Sequence, residues 1–189
     1  MDDNLAYQEE LWEEMIDGEL VMMSPASINH NRVAGNIFSM FSSHLKGRVC
    51  EAFSDGAAVY LTDRDYYIPD VAVVCDPDKV RPDGIHGAPD LVAEVLSPAA
   101  ARFDRGRKKD IYERGGVREY WIVDPSNKTV EQYLLTDGRF LLRDIYAILP
   151  AWTDRWLPPE KRGAPPPEFQ CSLCDDLTIS LAEIFDRVP

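Results

Sequence analysis

Three short apolar runs constrain this chain more than any other feature: "DVAVVC" (70–75), "DLVAEVL" (90–96) and "REYWIVDP" (118–125). Each is short and bounded by turn residues, so each reads as a strand, the third a buried-looking one. A loop rich in turn residues, "DPDKVRPDGIHGAP" (76–89), joins the first two. The basic segment 102–115 precedes the third and fits a helix ended by Gly115-Gly116.

The rest of the chain extends this pattern. Residues 7–15 suggest a short acidic helix, followed by a turn and a strand ended by Pro25. Between 27 and 48, Val33, Ile37, Met40, Phe41 and Leu45 recur at helical spacing, with Ser or Asn upstream to cap the helix. Residues 49–61 read as a strand, and "TVEQYLL" (129–135) and "RFLLRDIYAIL" (139–149) as two more. Six prolines between 150 and 170 indicate an irregular excursion, and "SLAEIF" (180–185) a final helix. The order predicts one mixed α/β domain over residues 1–189, with an N-terminal helix and strand in 1–26.

Charge narrows the partners. Twenty basic residues against 33 acidic ones leave a net charge of −13, which disfavours indiscriminate binding of polyanions. The distribution is uneven: residues 1–20 contain eight acids and no Lys or Arg, whereas 102–114 hold six basic residues against three acids. Any phosphate backbone is expected beside that second stretch. No apolar run approaches the roughly 18 residues that span a bilayer, and the acidic start lacks a signal-peptide pattern, so a cytoplasmic location without a membrane is expected. Cys50, Cys75, Cys171 and Cys174 are expected to be reduced and buried as small apolar side chains; "CSLC" lacks the second pair that a four-thiolate zinc site needs.

One residue does not fit its strand. Glu94 interrupts "LVAEVL", and a carboxylate buried there is costly unless something cationic offsets its lost hydration. Alternation puts Leu91, Ala93 and Val95 on one face and Val92, Glu94 and Leu96 on the other. Asp70 opens the preceding strand, and if the two strands are neighbours the carboxylates meet. Paired carboxylates suit a hard divalent cation such as Mg²⁺ or Mn²⁺. Spacing alone leaves plainer readings open: a turn-forming Asp, and a strand Glu paired with an arginine.

The blocks "YIPDVAVV", "GAPDLVAEVLSP", "DRGRKKDIY", "GGVREYWIVDP" and "VEQYLL", in this order, resemble the restriction-endonuclease-like "Uma-two" family within the PD-(D/E)XK nuclease superfamily. The resemblance covers roughly 5–148, and "LTISLAEIF" is similar to the family's usual end. It implies a restriction-endonuclease-like core, with a central mixed sheet flanked by helices, and metal-dependent endonuclease activity on DNA. By resemblance, Asp70 and Glu94 are the metal-binding acids, and the backbone carbonyl of Val95 is a further ligand. The superfamily's lysine two residues after the acid is absent, because Leu96 stands there; the family pattern points instead to Lys108 on the following helix. Asp104, Lys108 and Tyr112 are spaced four apart and share one helical face.

The resemblance also marks Glu19 and His30 as possible additional site residues. Tyr112 is a third candidate that could stack or hydrogen-bond near the site, although an aromatic facing the core from this helix is the plainer reading. Arg105, Arg107 and Lys109 are the candidate phosphate contacts. Sister enzymes commonly pair, so a homodimer is implied. The proline-rich 157–168 stretch looks like an insertion. The missing lysine at position 96 keeps a second class open, an inactive nuclease-fold binding or regulatory module. A metal-assisted hydrolase of smaller phosphate esters is the third.

Overall fold

Six runs of alternating or fully apolar residues form one large mixed sheet. The structure is a computed structural model and describes residues 13–16, 19–22, 26–54, 56–62, 65–97 and 101–189. The chain enters through β1 (Glu13–Ile16) and β2 (Glu19–Met22), an antiparallel pair, and then helix α1 (Ile28–His44). The Ser27 side chain caps α1 by accepting from the His30 amide at 3.2 Å. After it come β3 (Glu51–Ser54), β4 (Val59–Tyr60), β5 (Tyr66–Tyr67) and β6 (Val71–Val74). A 3₁₀ turn, Pro77–Lys79, leads into β7 (Val80–Arg81), β8 (Gly84–His86) and β9 (Leu91–Val95).

A continuous helical segment follows: α2 (Ala101–Phe103), a π-helical stretch Asp104–Lys108, and α3 (Lys109–Gly115). It ends at Gly116, whose φ of 89° lets the amides of Gly116 and Val117 both reach the Tyr112 carbonyl. β10 (Glu119–Asp124), β11 (Thr129–Thr136) and β12 (Arg139–Ala147) complete the large sheet. Beyond it lie 3₁₀ turns at Ala151–Trp156 and Pro159–Lys161, the pair β13 (Glu168–Gln170) and β14 (Thr178–Ser180), and the short α4 (Leu181–Ile184).

The large sheet runs β12-β11-β10-β9-β6-β3; β9 and β10 are parallel and the other neighbours antiparallel, which makes the sheet mixed. A smaller sheet runs β2-β1-β5-β4-β8-β7. The two faces of the large sheet are buried against different partners. Leu91, Ala93, Val95, Trp121 and Val123 pack with Val33, Ile37 and Phe41 of α1 and with Phe169, Ile179 and Leu181 of the C-terminal elements. On the other face, Val92, Leu96, Tyr120 and Ile122 pack with Ile111 and Tyr112 of α3 and with Tyr67 of the smaller sheet.

Four local readings are corrected. Residues 13–15, expected as the end of a helix, are in β1, because pairing with β2 and with Tyr66 of β5 outweighs local helix propensity; residues 7–12 lie outside the described residues. The 49–61 run divides, since β3 joins the large sheet and β4 the smaller one. The 76–89 loop contains β7 and β8, with Gly84 (φ 145°) so close to the chain that a Cβ would lie 2.5 Å from the Ala58 carbonyl oxygen. Cys50 and Cys75 form a disulfide, because the β3–β6 register (Glu51 opposite Val74) sets them side by side; Cys171 and Cys174 are free and buried. Among the described residues, no helix is long and apolar enough to cross a membrane.

Candidate active site

The antiparallel register between β6 and β9 decides the site. Val71 lies opposite Ala93, so one step outward Asp70 lies opposite Glu94. Asp70 accepts a hydrogen bond from the Val95 amide through Oδ2 at 2.7 Å, which ties the entrance of β6 to the end of β9. Both carboxylates are buried, and Glu94 shares the face of Val92 and Leu96 that α3 covers.

The π-helical stretch supplies the cation. Lys108 is only 5 % exposed, and its Nζ lies 3.1 Å from Glu94 Oε1 and 2.9 Å from Glu14 Oε1. Tyr112, one α-turn later, donates its hydroxyl to the same Glu94 oxygen at 2.7 Å. Asp104, one turn earlier, is buried on this face too, and its carbonyl accepts from the Tyr120 hydroxyl. π-Helical turns are frequent at functional sites, and here one carries both a buried acid and a buried base.

Electrostatics follow from crowding four carboxyls around one ammonium. Burial acts to lower the Lys108 pKa, but Glu94, Glu14 and Asp104 outweigh it and hold the ammonium protonated well above its ordinary range. Burial pushes Glu94 well up, opposed by Lys108 and reinforced by Asp70, Asp104 and Glu14. Asp104 is pushed up to about 6, mainly by burial, with Lys108 opposing and Asp70 and Glu14 adding to the rise. Tyr112 is raised by burial and by Glu94, so at neutral pH it is a phenol that donates.

The residues singled out by sequence divide clearly. Asp70, Glu94, Lys108 and Tyr112 come together, and His30 joins them with Nε2 3.2 Å from Asp70 Oδ2. Glu19 does not: it is exposed on β2, opposite Ile16. The carboxylate that the β1–β2 hairpin delivers is Glu14, which alternation turns inward and which also accepts from the Ile68 amide at 3.0 Å. Of the basic residues, Arg105 pairs with Glu131 at 2.9 Å and Lys109 lies 3.8 Å over the Tyr133 ring, while Arg107 is exposed.

The donor set fits a hard divalent cation. Among the described residues, hydrogen bonds and ion pairs to the two central acids fall on Oδ2 of Asp70 and Oε1 of Glu94, so each keeps a second oxygen. No three His, Cys, Asp or Glu side chains among the described residues converge into a ready cage. Magnesium is often held by one or two carboxylates together with water and substrate phosphate, which this pair can provide.

The chain can now be set beside known proteins. Two uncharacterized proteins of Synechocystis sp. (strain ATCC 27184 / PCC 6803 / Kazusa) are similar: slr1290 is 30% identical over 137 residues, covering 71% of this chain and 72% of its own length. The second, sll1609, is 31% identical over 137 residues, covering 70% and 77%. The crystal structure of a "putative nuclease belonging to DUF820" from Anabaena variabilis ATCC 29413 shares the fold, with a TM-score of 0.68 at 19% identity over 92% of this chain and 89% of that one. Residues 3–160 match the family model described as "Putative restriction endonuclease", and the chain therefore belongs to the Uma2 family.

Proposed function

We propose that this protein is a Mg²⁺- or Mn²⁺-dependent endonuclease that hydrolyses DNA phosphodiester bonds. The observation that carries the reading is the Lys108 ammonium buried between Glu94 and Glu14, on a helix that replaces the missing lysine at position 96. Family membership supports the reaction class.

Asp70, Glu94 and the Val95 carbonyl are the groups that would hold the metal, which when bound polarises a phosphate and makes a nearby water more acidic. The protein's own groups do the rest. Lys108, kept protonated by its three carboxylate neighbours, is a donor that orients the attacking water and stabilises charge developing on the phosphoryl oxygens. Its raised pKa disfavours a role as the proton acceptor. Glu14 is the ammonium's second carboxylate partner, Tyr112 fixes Glu94, and His30 sits against Asp70. Arg105, Arg107 and Lys109, once drawn from their present partners, would meet the DNA backbone. A cytoplasmic homodimer acting on both strands completes the proposal.

A second reading has its own support. The ammonium already bridges Glu14 and Glu94, a pairing that holds the core without a metal, as expected of an inactive binding module with this fold. One assay separates the two: plasmid and single-stranded DNA incubated with Mg²⁺ or Mn²⁺ and the wild type, Glu94→Ala or Lys108→Ala. Cleavage lost in both variants supports the nuclease. Cleavage unchanged in both refutes the site, and no cleavage or metal binding by the wild type favours the binding module.

A further inference from the structure

Hydrophobic exposure in this molecule is concentrated in one stretch. Of the nine large hydrophobic residues exposed among the described residues, six (Leu141, Leu142, Ile145, Leu149, Trp152 and Trp156) lie on β12 or immediately after it. Isolated exposed hydrophobics are ordinary, but a cluster marks an interaction surface. β12 is also the outermost strand of the large sheet, so no strand among the described residues covers its far edge.

Charge says what fits there. Two copies of a chain carrying −13 repel one another over most of their surface. Residues 139–156 differ: Arg139, Arg143 and Arg155 stand against Asp144 and Asp154, a surplus of one positive charge. That surplus is too small to attract a polyanion, yet it removes the repulsion between copies. The order "LLRDI" (141–145) is also self-complementary. A two-fold axis passing between residues 143 and 144 sets each Arg143 against the partner's Asp144, and Leu142 against the partner's Ile145. Among the described residues neither Arg143 nor Asp144 forms an ion pair within its own chain; the Asp144 carboxylate accepts only the next amide, that of Ile145. The register shift opposite Gln132 and Tyr133 leaves Arg143 as the extra residue on β12, so the edge bends. The contact is therefore one of side chains and not a continued hydrogen-bond ladder.

We infer that β12 and the tryptophan-bearing segment after it form the interface of a two-fold dimer of this chain, centred on Arg143 and Asp144. The inference rests on the homodimer of the proposed function and gives it an interface; because association is read without DNA or metal, it can fail while cleavage stands, and cleavage can fail while it stands.

Sedimentation velocity on the full chain across a wide concentration range tests it. The mass should rise from 21.4 kDa toward twice that value. Leu142→Asp/Ile145→Asp should hold it at the monomer. Arg143→Asp should weaken association by on the order of tenfold, and Arg143→Asp/Asp144→Arg should restore it. If the double apolar variant loses its circular-dichroism spectrum, the charge exchange alone decides. A wild type that stays at 21.4 kDa throughout, a dimer indifferent to every variant, or an exchange that fails to restore association each overturns the proposal.

Discussion

Glu94 and Glu119 are buried carboxylates on opposite faces of the same sheet, and they are neutralised in different ways. Glu119 lies on the α1 face and meets neutral donors: Trp121 Nε1 and Gln132 Nε2 at 2.7 Å each, the Ser172 amide at 2.9 Å, and the Ser172 hydroxyl. Glu94 lies on the α3 face and meets an ammonium and a phenol, with three further acids nearby. The first arrangement is saturated and ties the C-terminal segment to β10. The second crowds four carboxyls around one lysine, and among the described residues hydrogen bonds and ion pairs use only one oxygen each of Asp70 and Glu94. One sheet thus carries a hydrogen-bonded anchor on one face and a charged carboxyl–lysine cluster on the other.

The largest effects should come from breaking either centre. Glu119→Ala leaves several buried donors without their acceptor and should cost roughly 3–5 kcal/mol in urea unfolding. The activity per folded molecule should hardly change. Lys108→Met strands Glu94 and Glu14 and should cost a similar ~3–5 kcal/mol at neutral pH, while abolishing cleavage. Its stability loss should shrink as acid protonates Glu94, whose pKa burial already raises.

Asp104 sharpens the contrast through pH. Its folded pKa of about 6 is raised above the unfolded value near 4, so its contribution to stability is complete below about pH 4 and is lost as pH rises through about 6. Asp104→Asn should flatten the stability curve across that window and raise stability at pH 7 by about 2–3 kcal/mol, as followed by unfolding at several pH values. Tyr112→Phe removes one donor from Glu94 and should cost about 1–2 kcal/mol. The smallest effect is expected from Arg105→Ala, which breaks a half-exposed pair with Glu131 and should change stability by about 0–1 kcal/mol.

Much of the α3 face was legible in the sequence because its key spacings are local. Strand alternation placed Glu94 with Val92 and Leu96, and the four-residue interval linked Asp104, Lys108 and Tyr112. What escaped depends on how distant segments meet. The acidic run 7–15 suggests a helix that would carry Glu14, although Asp17-Gly18 between two short runs is also a hairpin signal. The resemblance favours Glu19 in its place, and pairing parity sends that residue outward. Glu119 looked like one more strand residue, since its acceptors' partners at 132 and 172 are joined only by the tertiary fold. The Cys50–Cys75 bond likewise required the β3–β6 register.

The most direct test of the account sets Glu94→Gln beside Glu119→Gln. Both keep the side-chain shape and replace a buried carboxyl with an amide. With plasmid DNA and Mg²⁺, Glu94→Gln should lose cleavage while staying folded, and Glu119→Gln should unfold more easily while its folded fraction cleaves like the wild type. Equal cleavage by the wild type and Glu94→Gln would contradict the claim that the α3 face is the reactive one.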